Sequence, residues 1–370
     1  MIWTTWRQHR AEVGVGALIL STLVAGMIAV GTVARNRARG LGLPTCLHAH
    51  GSCGGALEAL HRDFHSIPPF TFALIALPLL AGMFWTAPMV SREYEAGTHR
   101  LAWTQSVSPR RWIAIKIASI FGVTGLAALG LGLLAGWTLD PLTPAFGGRY
   151  NSTWYAVQGI VPVAYMLFAL AVGVASSAVI RRTIPAMAIT LVVFAAAVIP
   201  VHWMRIHFAP LTSRTYTVAL TALLDRPEAA PREMFPPTAS SSDWIARTAI
   251  TDPAGRPVIA DGLNVEVLGS YCPDLLSGPP AGAQQGGGGG QGTPGGNPGR
   301  VNVPPPPPPS PQQLAACRPA VQHLSIRERI AYQPAAHFWL IQSVESALFL
   351  VVAGLFAGAA VYGVTRRRPA

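Results

Sequence analysis

The sequence predicts an all-α membrane protein with six transmembrane helices. Only 12% of the 370 residues are charged and 51% are hydrophobic, whereas about 25% of an average soluble domain is charged. Six segments are apolar over the roughly 20 residues that a helix needs to cross a bilayer. None has Asp, Glu, Lys or Arg in its interior, since Lys116 and Glu345 lie at margins and can reach the headgroups. The segments are residues 13–33, 70–90, 113–137, 155–180, 184–203 and 346–364.

The distribution of arginine predicts that both termini are cytoplasmic. Positive residues concentrate in cytoplasmic loops, and with the N-terminus inside these loops are residues 1–12, 91–112, 181–183 and 365–370. They contain Arg7, Arg10, Arg92, Arg100, Arg110, Arg111, Arg181, Arg182 and Arg366 to Arg368. Arg35, Arg37 and Arg39 oppose this orientation, because they follow the first span and would face outward. Four segments support an orientation with both termini in the cytoplasm and one opposes it, so this orientation is predicted.

This topology divides the chain into four parts. Residues 1–12 are expected to form a cytoplasmic helix in the membrane interface, with Trp3, Trp6, Arg7 and Arg10 on one broad face. Residues 13–201 contain helices 1 to 5, with a charged cytoplasmic loop at 91–112. Residues 202–345 form a large extracellular region between helices 5 and 6. Residues 346–370 contain helix 6 and a basic cytoplasmic tail.

Within the outer region the sequence predicts mixed local structure. Residues 210–224 and 318–345 have helical patterns, whereas residues 262–271 alternate weakly like a short strand. Residues 278–313 are rich in glycine and proline, and are therefore expected to be disordered.

All four cysteines lie in predicted outer loops, which indicates disulfides, because that side of the membrane is oxidising. Pairing within each loop gives Cys46–Cys53 and Cys272–Cys317. The alternative is a zinc or copper site, since His48, His50, His61 and His65 lie near the first pair. The disulfide is favoured, and no metal site is predicted.

The charged segment 91–116 is too polar for lipid and is the expected contact with a soluble partner. Ser91 can cap a short helix that carries Glu93 and Glu95. Gly97 permits a sharp turn, and Ser108-Pro109 can begin the third span. The alternative is an ordinary charged loop.

Several function classes are disfavoured. The only lysine, Lys116, has no glycine loop before it, so the chain has no P-loop and is not expected to hydrolyse ATP. No span interior has a carboxylate for proton coupling, which argues against secondary transport. The net charge of +11 is not gathered into a patch with aromatics, so no nucleic-acid partner is expected.

Three stretches resemble the permease subunits of ABC-2-type transporters from high-GC actinobacteria. The most specific runs from Glu93-x-Glu95-x-Gly97-Thr98 through Thr104-Gln105-Ser106-Val107-Ser108 to Arg111-Trp112 and Lys116. The second is Trp3-x-x-Trp6-Arg7-Gln8-His9-Arg10, and the third is Tyr332-Gln333-Pro334-Ala335 through Phe338-Trp339 and Gln342 to Glu345. The glycine- and proline-rich insertion departs from this pattern.

The resemblance implies a plasma-membrane exporter subunit that forms a dimer with itself or a related permease. Two cytosolic ABC ATPase subunits would bind the ATP and Mg²⁺, so this chain is expected to hold no cofactor and to be no enzyme. Its partners would be the ATPase, the second permease and membrane lipid. By position, ATPase coupling falls on Glu93, Glu95, Gly97, Thr98, Arg100, Leu101, Trp103, Arg110 and Arg111. The main alternative is a membrane-anchored receptor or sensor with an extracellular ligand-binding region, and a membrane-embedded enzyme is a third possibility.

Overall fold

A computed structural model describes residues 2–49, 53–88, 91, 95, 109–180, 182–234, 243–275 and 309–366. The chain forms two compact units. The first comprises residues 1–210, 241–244 and 333–370, and the second comprises residues 211–240 and 245–332.

The described helices and strands follow in chain order. The first part contains α1 (Ile2–Gly40), α2 (Leu43–His48), α3 (Gly54–Phe64), α4 (Ile67–Ala81), α5 (Pro109–Leu139), α6 (Ser152–Tyr155), α7 (Val161–Ile180) and α8 (Thr183–Met204). Then come β1 (Thr212–Ala219), α9 (Thr221–Leu224), β2 (Trp244–Thr251), β3 (Pro257–Val258), α10 (Asn264–Gly269), α11 (Pro311–Val321), β4 (Ser325–Gln333) and α12 (Phe338–Arg366). Short 3-10 helices include Asp140–Ala145 and Arg205–His207, and a π-helical turn, Gly82–Thr86, continues α4.

Five helical segments among the described residues are long and apolar enough to cross a membrane. They are Gly16–Gly40, Ile117–Ala145, Val161–Ile180, Thr183–His207 and Ala335–Gly363. The remaining expected span corresponds to a shorter apolar helix, Thr71–Thr86. A multi-pass membrane protein is therefore confirmed, while the sixth span and the orientation stay predictions.

Helix α7 forms the centre of the first unit. Fourteen of its 20 residues are buried, and it packs against α4, α5, α8 and α12. Close approach to α4 requires glycine, because a Cβ on Gly82 would lie 2.6 Å from the carbonyl oxygen of Ala169. Thr86, in the π-helical turn, donates a hydrogen bond to Leu170 O at 3.1 Å. These contacts fix the π-helical turn against the core helix.

The second unit contains a four-stranded sheet, which corrects the all-α prediction. The strand order is β1-β4-β2-β3, with β1 antiparallel to β4 and β2 antiparallel to β3. Side chains of β4 alternate between buried and exposed, with Ile326, Glu328, Ile330 and Tyr332 buried. This period of two indicates a strand covered on one face, although residues 318–345 had a helical pattern.

Two other local predictions in this unit were wrong, one in the same sense and one in the opposite sense. Residues 212–219 of the predicted helix 210–224 form β1, paired along its length with β4. Residues 264–269 of the predicted strand 262–271 form α10, whose Leu268 is fully buried. In both cases packing against distant parts of the chain overrides weak local preferences.

The last residues of the predicted disordered insertion are also ordered. Ser310 and Gln313 form a capping box at the start of α11, and Pro311 occupies its first turn. These residues satisfy backbone groups that a helix start leaves unpaired. Residues 276–308 lie outside the described part of the chain.

Candidate functional site

A buried ion pair joins two candidate membrane spans in the first unit. Arg205 Nε donates to Glu345 Oε2 at 2.8 Å, and Arg205 Nη2 donates to Glu345 Oε1 at 3.1 Å. The two side chains are 3% and 0% exposed. The contact is therefore a bidentate guanidinium–carboxylate pair, which is the strongest geometry for such groups.

Two tyrosines complete the surroundings of this pair. Tyr165 OH donates to Glu345 Oε1 and accepts a bond from Arg205 Nη2 at 3.3 Å. On another side, Arg205 Cζ lies 3.8 Å from the centre of the Tyr155 ring, a cation–π distance. Both charges thus have several partners, as a buried pair requires.

The position of the cluster follows from where the helices begin and end. Tyr165 lies in the first turns of α7, Arg205 directly follows α8, and Glu345 lies two turns into α12. All three helices therefore meet at one end of the bundle. The expectation that Glu345 sits at the margin of the last span was wrong, because α12 already begins at Phe338.

Gln342, one turn before Glu345, closes the break between α6 and α7. Its Oε1 accepts from Ile160 N at 2.9 Å, and its Nε2 donates to Gln158 O at 2.9 Å. Gly159 has a φ of +73°, and a side chain there would collide with the Gln342 amide. The amide thus satisfies backbone groups where the helix is interrupted.

Further polar contacts bind the chain that leads into α12. Gln333 Nε2 donates to Ile206 O at 2.8 Å and to Ala209 O at 2.6 Å. Tyr150 OH donates to Pro334 O at 3.0 Å. Burial, and the nearby Asp243 carboxylate, raise the pKa of Tyr150, so the phenol stays neutral. These hydrogen bonds therefore connect the chain before α12 to the residues that follow α8 and to the loop before α6, and none of them involves an exposed charge.

A second polar contact lies between the predicted coupling loop and α8. Glu95 accepts hydrogen bonds from the backbone N–H and the hydroxyl of Thr183, both at 3.0 Å. Ser91 Oγ lies 2.9 Å from Thr183 Oγ1 and donates to Ala87 O at 3.0 Å. Ser91 is itself helical, whereas an N-cap residue has a non-helical backbone, so the expectation that it caps a new helix was wrong.

Most of the other predicted coupling residues lie outside the described part of the chain. These are Glu93, Gly97, Thr98, Arg100, Leu101 and Trp103. Arg110 belongs to α5 by its backbone, and Arg111 is exposed on the same helix. Trp3, Trp6, Arg7 and Arg10 lie in α1, continuous with the first span, and their side chains are not described. Their coupling and interfacial roles stay predictions.

The structure contains two disulfides, Cys46–Cys53 and Cys272–Cys317, the pairing expected from the sequence. Because Cys46 and Cys53 are bonded to each other, neither sulfur is a free thiolate ligand for the alternative metal site. His61 Nδ1 lies 3.2 Å from Ala145 O, and His65 Nδ1 lies 2.8 Å from Arg62 O. Cys272 and Cys317 are buried among Leu268, Val321 and other apolar side chains of the second unit.

Sequence reasoning missed Arg205, Tyr165 and the buried role of Glu345. One signal was available: Gln342, Glu345 and Ser346 recur at helical spacing at the start of an apolar helix. Polar residues on one face of such a helix indicate a protein-facing side. The partner Arg205, 140 residues away, had no comparable signal.

Comparison with known families gives one match. Residues 17–205 match the family model described as ABC-2 membrane transporter related. No curated protein and no solved structure matches. The matched region covers most of α1 and all of α2 to α8. It does not include the second unit.

Proposed function

The chain belongs to the ABC-2 membrane transporter related family, and we therefore propose that it is the membrane subunit of an ATP-driven exporter. The chain is an ABC-2-type permease and a multi-pass membrane protein. Members of this family associate with an ATP-binding subunit. The proposal adds six spans with both termini in the cytoplasm, location in the plasma membrane, and pairing with a second copy or a related permease. ATP and Mg²⁺ would bind to the partner, and transport would run outward.

The bond between Glu95 and Thr183 carries the proposal for coupling. Residue 95 lies in the segment proposed to receive the ATPase, and Thr183 begins α8. Movement of that segment would pull directly on the first residue of α8. Because α8 packs on the central α7, the displacement would reach the core of the bundle. Glu93, Arg100 and Arg111 would then meet charges of the ATPase, while Leu101 and Trp103 would supply apolar contact.

The receptor alternative has weaker support. The family match falls on the spans themselves, and a receptor would need the outer region for its activity. The second unit has its own apolar core, and its described residues contain no group of three or more His, Cys, Asp or Glu that could hold a metal ion.

Co-purification with an ABC ATP-binding subunit tests the proposal. We expect the ATPase to co-purify with the wild-type chain, and Glu93→Ala/Arg100→Ala to reduce recovery and ATP-dependent transport. The matched control is Glu58→Ala/Arg62→Ala, which also removes one acid and one arginine. That pair is exposed on α3, away from the proposed loop. Undiminished recovery in the first double variant would refute docking at this loop.

A further inference from the structure

A cavity of about 370 Å³ lies where α1 ends. Its wall contains Arg35 and Arg39 from the last turns of α1, Leu43 and Leu47 from α2, and Asp140 with neighbouring prolines. No side chain of the described residues occupies this space. It lies well separated in sequence from the coupling segment and from the Arg205–Glu345 pair.

The three arginines that oppose the predicted orientation have different partners. Arg37 pairs with Asp63 at 2.6 Å. Arg35 donates to Trp137 O and to Gly31 O, and its Cζ lies 3.8 Å from the centre of the Trp137 ring. Arg39 is exposed, and its guanidinium makes no hydrogen bond or ion pair with any described residue. Only Arg37 has its charge compensated by a carboxylate.

The acidic residue in the wall does not cancel this positive charge. Asp140 pairs with Arg149, which donates to Asp140 Oδ1 at 2.8 Å. Arg35 and Arg39 therefore give the cavity a net positive lining. Guanidinium groups bind phosphate with directed hydrogen bonds, and the stacking on Trp137 holds the Arg35 guanidinium in one orientation.

The rest of the lining is apolar and rigid. Leu47 is 39% exposed, and Pro44, Pro141 and Pro144 form neighbouring parts of the wall. The Cys46–Cys53 disulfide anchors α2, which carries both leucines. The first candidate span ends at Gly40, so the cavity lies at the level of one end of a candidate span. Charged and apolar surfaces are adjacent at that level.

We propose that this cavity binds the phosphate headgroup of an anionic phospholipid. Arg39 and Arg35 would contact the phosphate, while Leu43 and Leu47 would cover the glycerol and the start of an acyl chain. In the predicted orientation, such a ligand accounts for arginines on the side of the membrane that usually carries few. The site stands independently of the proposed transport function, because lipid binding requires neither ATP nor an ATPase.

Native mass spectrometry of the full chain in detergent, titrated with phosphatidylglycerol or phosphatidylcholine, tests this site. We expect preferential retention of phosphatidylglycerol. Arg39→Gln should weaken it by about tenfold or more, the loss of one charge-assisted hydrogen bond. Arg62→Gln is the matched control, since it removes the same charge from an exposed position on α3 outside the cavity. Leu47→Gln should also weaken lipid binding.

Three results would overturn the proposal. Equal retention of both lipids would remove the anionic preference. An equal loss in Arg39→Gln and Arg62→Gln would indicate diffuse attraction rather than a site. Displacement of the lipid by millimolar inorganic phosphate would indicate a free-anion site with no contribution from the apolar wall.

Discussion

Glu95 caps α8, the helix that begins at Thr183. Its carboxylate accepts hydrogen bonds of 3.0 Å from the backbone N–H of Thr183 and from the Thr183 hydroxyl. The first N–H groups of a helix have no partner within the helix, and a carboxylate there is also favoured by the helix dipole. Glu95 therefore has an intramolecular role in a segment where the resemblance implied only contacts with an ATPase. Glu93 and Glu95 are expected to differ in function although they are two residues apart.

Glu95→Ala should lower the stability of the permease by about 1 kcal/mol, the usual cost of losing a helix cap. The measurement is the apparent melting temperature in detergent without the ATPase. Glu93→Ala is the control and should leave that temperature unchanged while reducing ATPase co-purification. An unchanged melting temperature in Glu95→Ala would argue against the capping role.

Removing either partner of the buried ion pair should be costly. Glu345→Ala leaves Arg205 buried and uncompensated, which costs about 3–5 kcal/mol. Replacing both residues, as in Arg205→Met/Glu345→Leu, should restore part of that loss, because no unpaired charge remains. Melting temperatures and folded yield of the single and double variants measure this.

The exposed pair Glu58–Arg62 provides the comparison. Its side chains are 76% and 73% exposed, so Glu58→Ala should change stability by less than about 0.5 kcal/mol. A double variant at positions 205 and 345 that is less stable than both single variants would contradict the charge-compensation argument.

Gly82→Ala should destabilise the bundle. The added methyl group would lie 2.6 Å from Ala169 O, so α4 and α7 must separate, at a cost of about 1–3 kcal/mol. Gly122→Ala is the matched control, since a Cβ there meets nothing within 4 Å. Alanine at that position should instead raise helix stability by up to about 1 kcal/mol. Equal melting temperatures for the two variants would contradict the close packing at Gly82.

Loss of the Cys272–Cys317 disulfide should destabilise the second unit. The bridge closes a separation of 45 residues, worth about 4 kcal/mol in the chain-entropy model. The Cys46–Cys53 bridge spans only 7 residues and should contribute about 2 kcal/mol. Limited proteolysis of Cys272→Ser/Cys317→Ser should cleave within residues 211–332. Equal protection of this variant and the wild type would count against the prediction.

The spans illustrate what sequence reasoning predicts well. Thr183–Met204 was expected within one residue of its observed bounds, and Val161–Ile180 was expected to end where it does but to begin at residue 155. A long apolar run is predictable because it satisfies its backbone groups in lipid only as a helix. The disulfides were also predictable, since all four cysteines fall in two loops that the sequence places on the outer side. Neither inference depends on knowing which residues touch across the fold.

The second unit illustrates what fails. Residues 212–219 and 325–333 are short and only partly buried, and each becomes a strand because the other is available as its antiparallel partner. Local periodicity contains no information about a partner about 110 residues away. The same limit applies to Glu345. The sequence places it at headgroup level, whereas in the structure it is buried and paired with Arg205.

The sequence by itself determined a multi-pass membrane protein, because composition and apolar length decide which solvent each segment can occupy, and its motifs carried the resemblance to ABC-2-type permeases. Only the tertiary structure decided that Arg205 pairs with Glu345, that Glu95 caps α8, and that Arg39 faces an open cavity. The physical reason is that a buried charge or a helix cap depends on which distant groups lie within 3 Å or so. That proximity is set by how the helices pack, and local sequence patterns do not encode it.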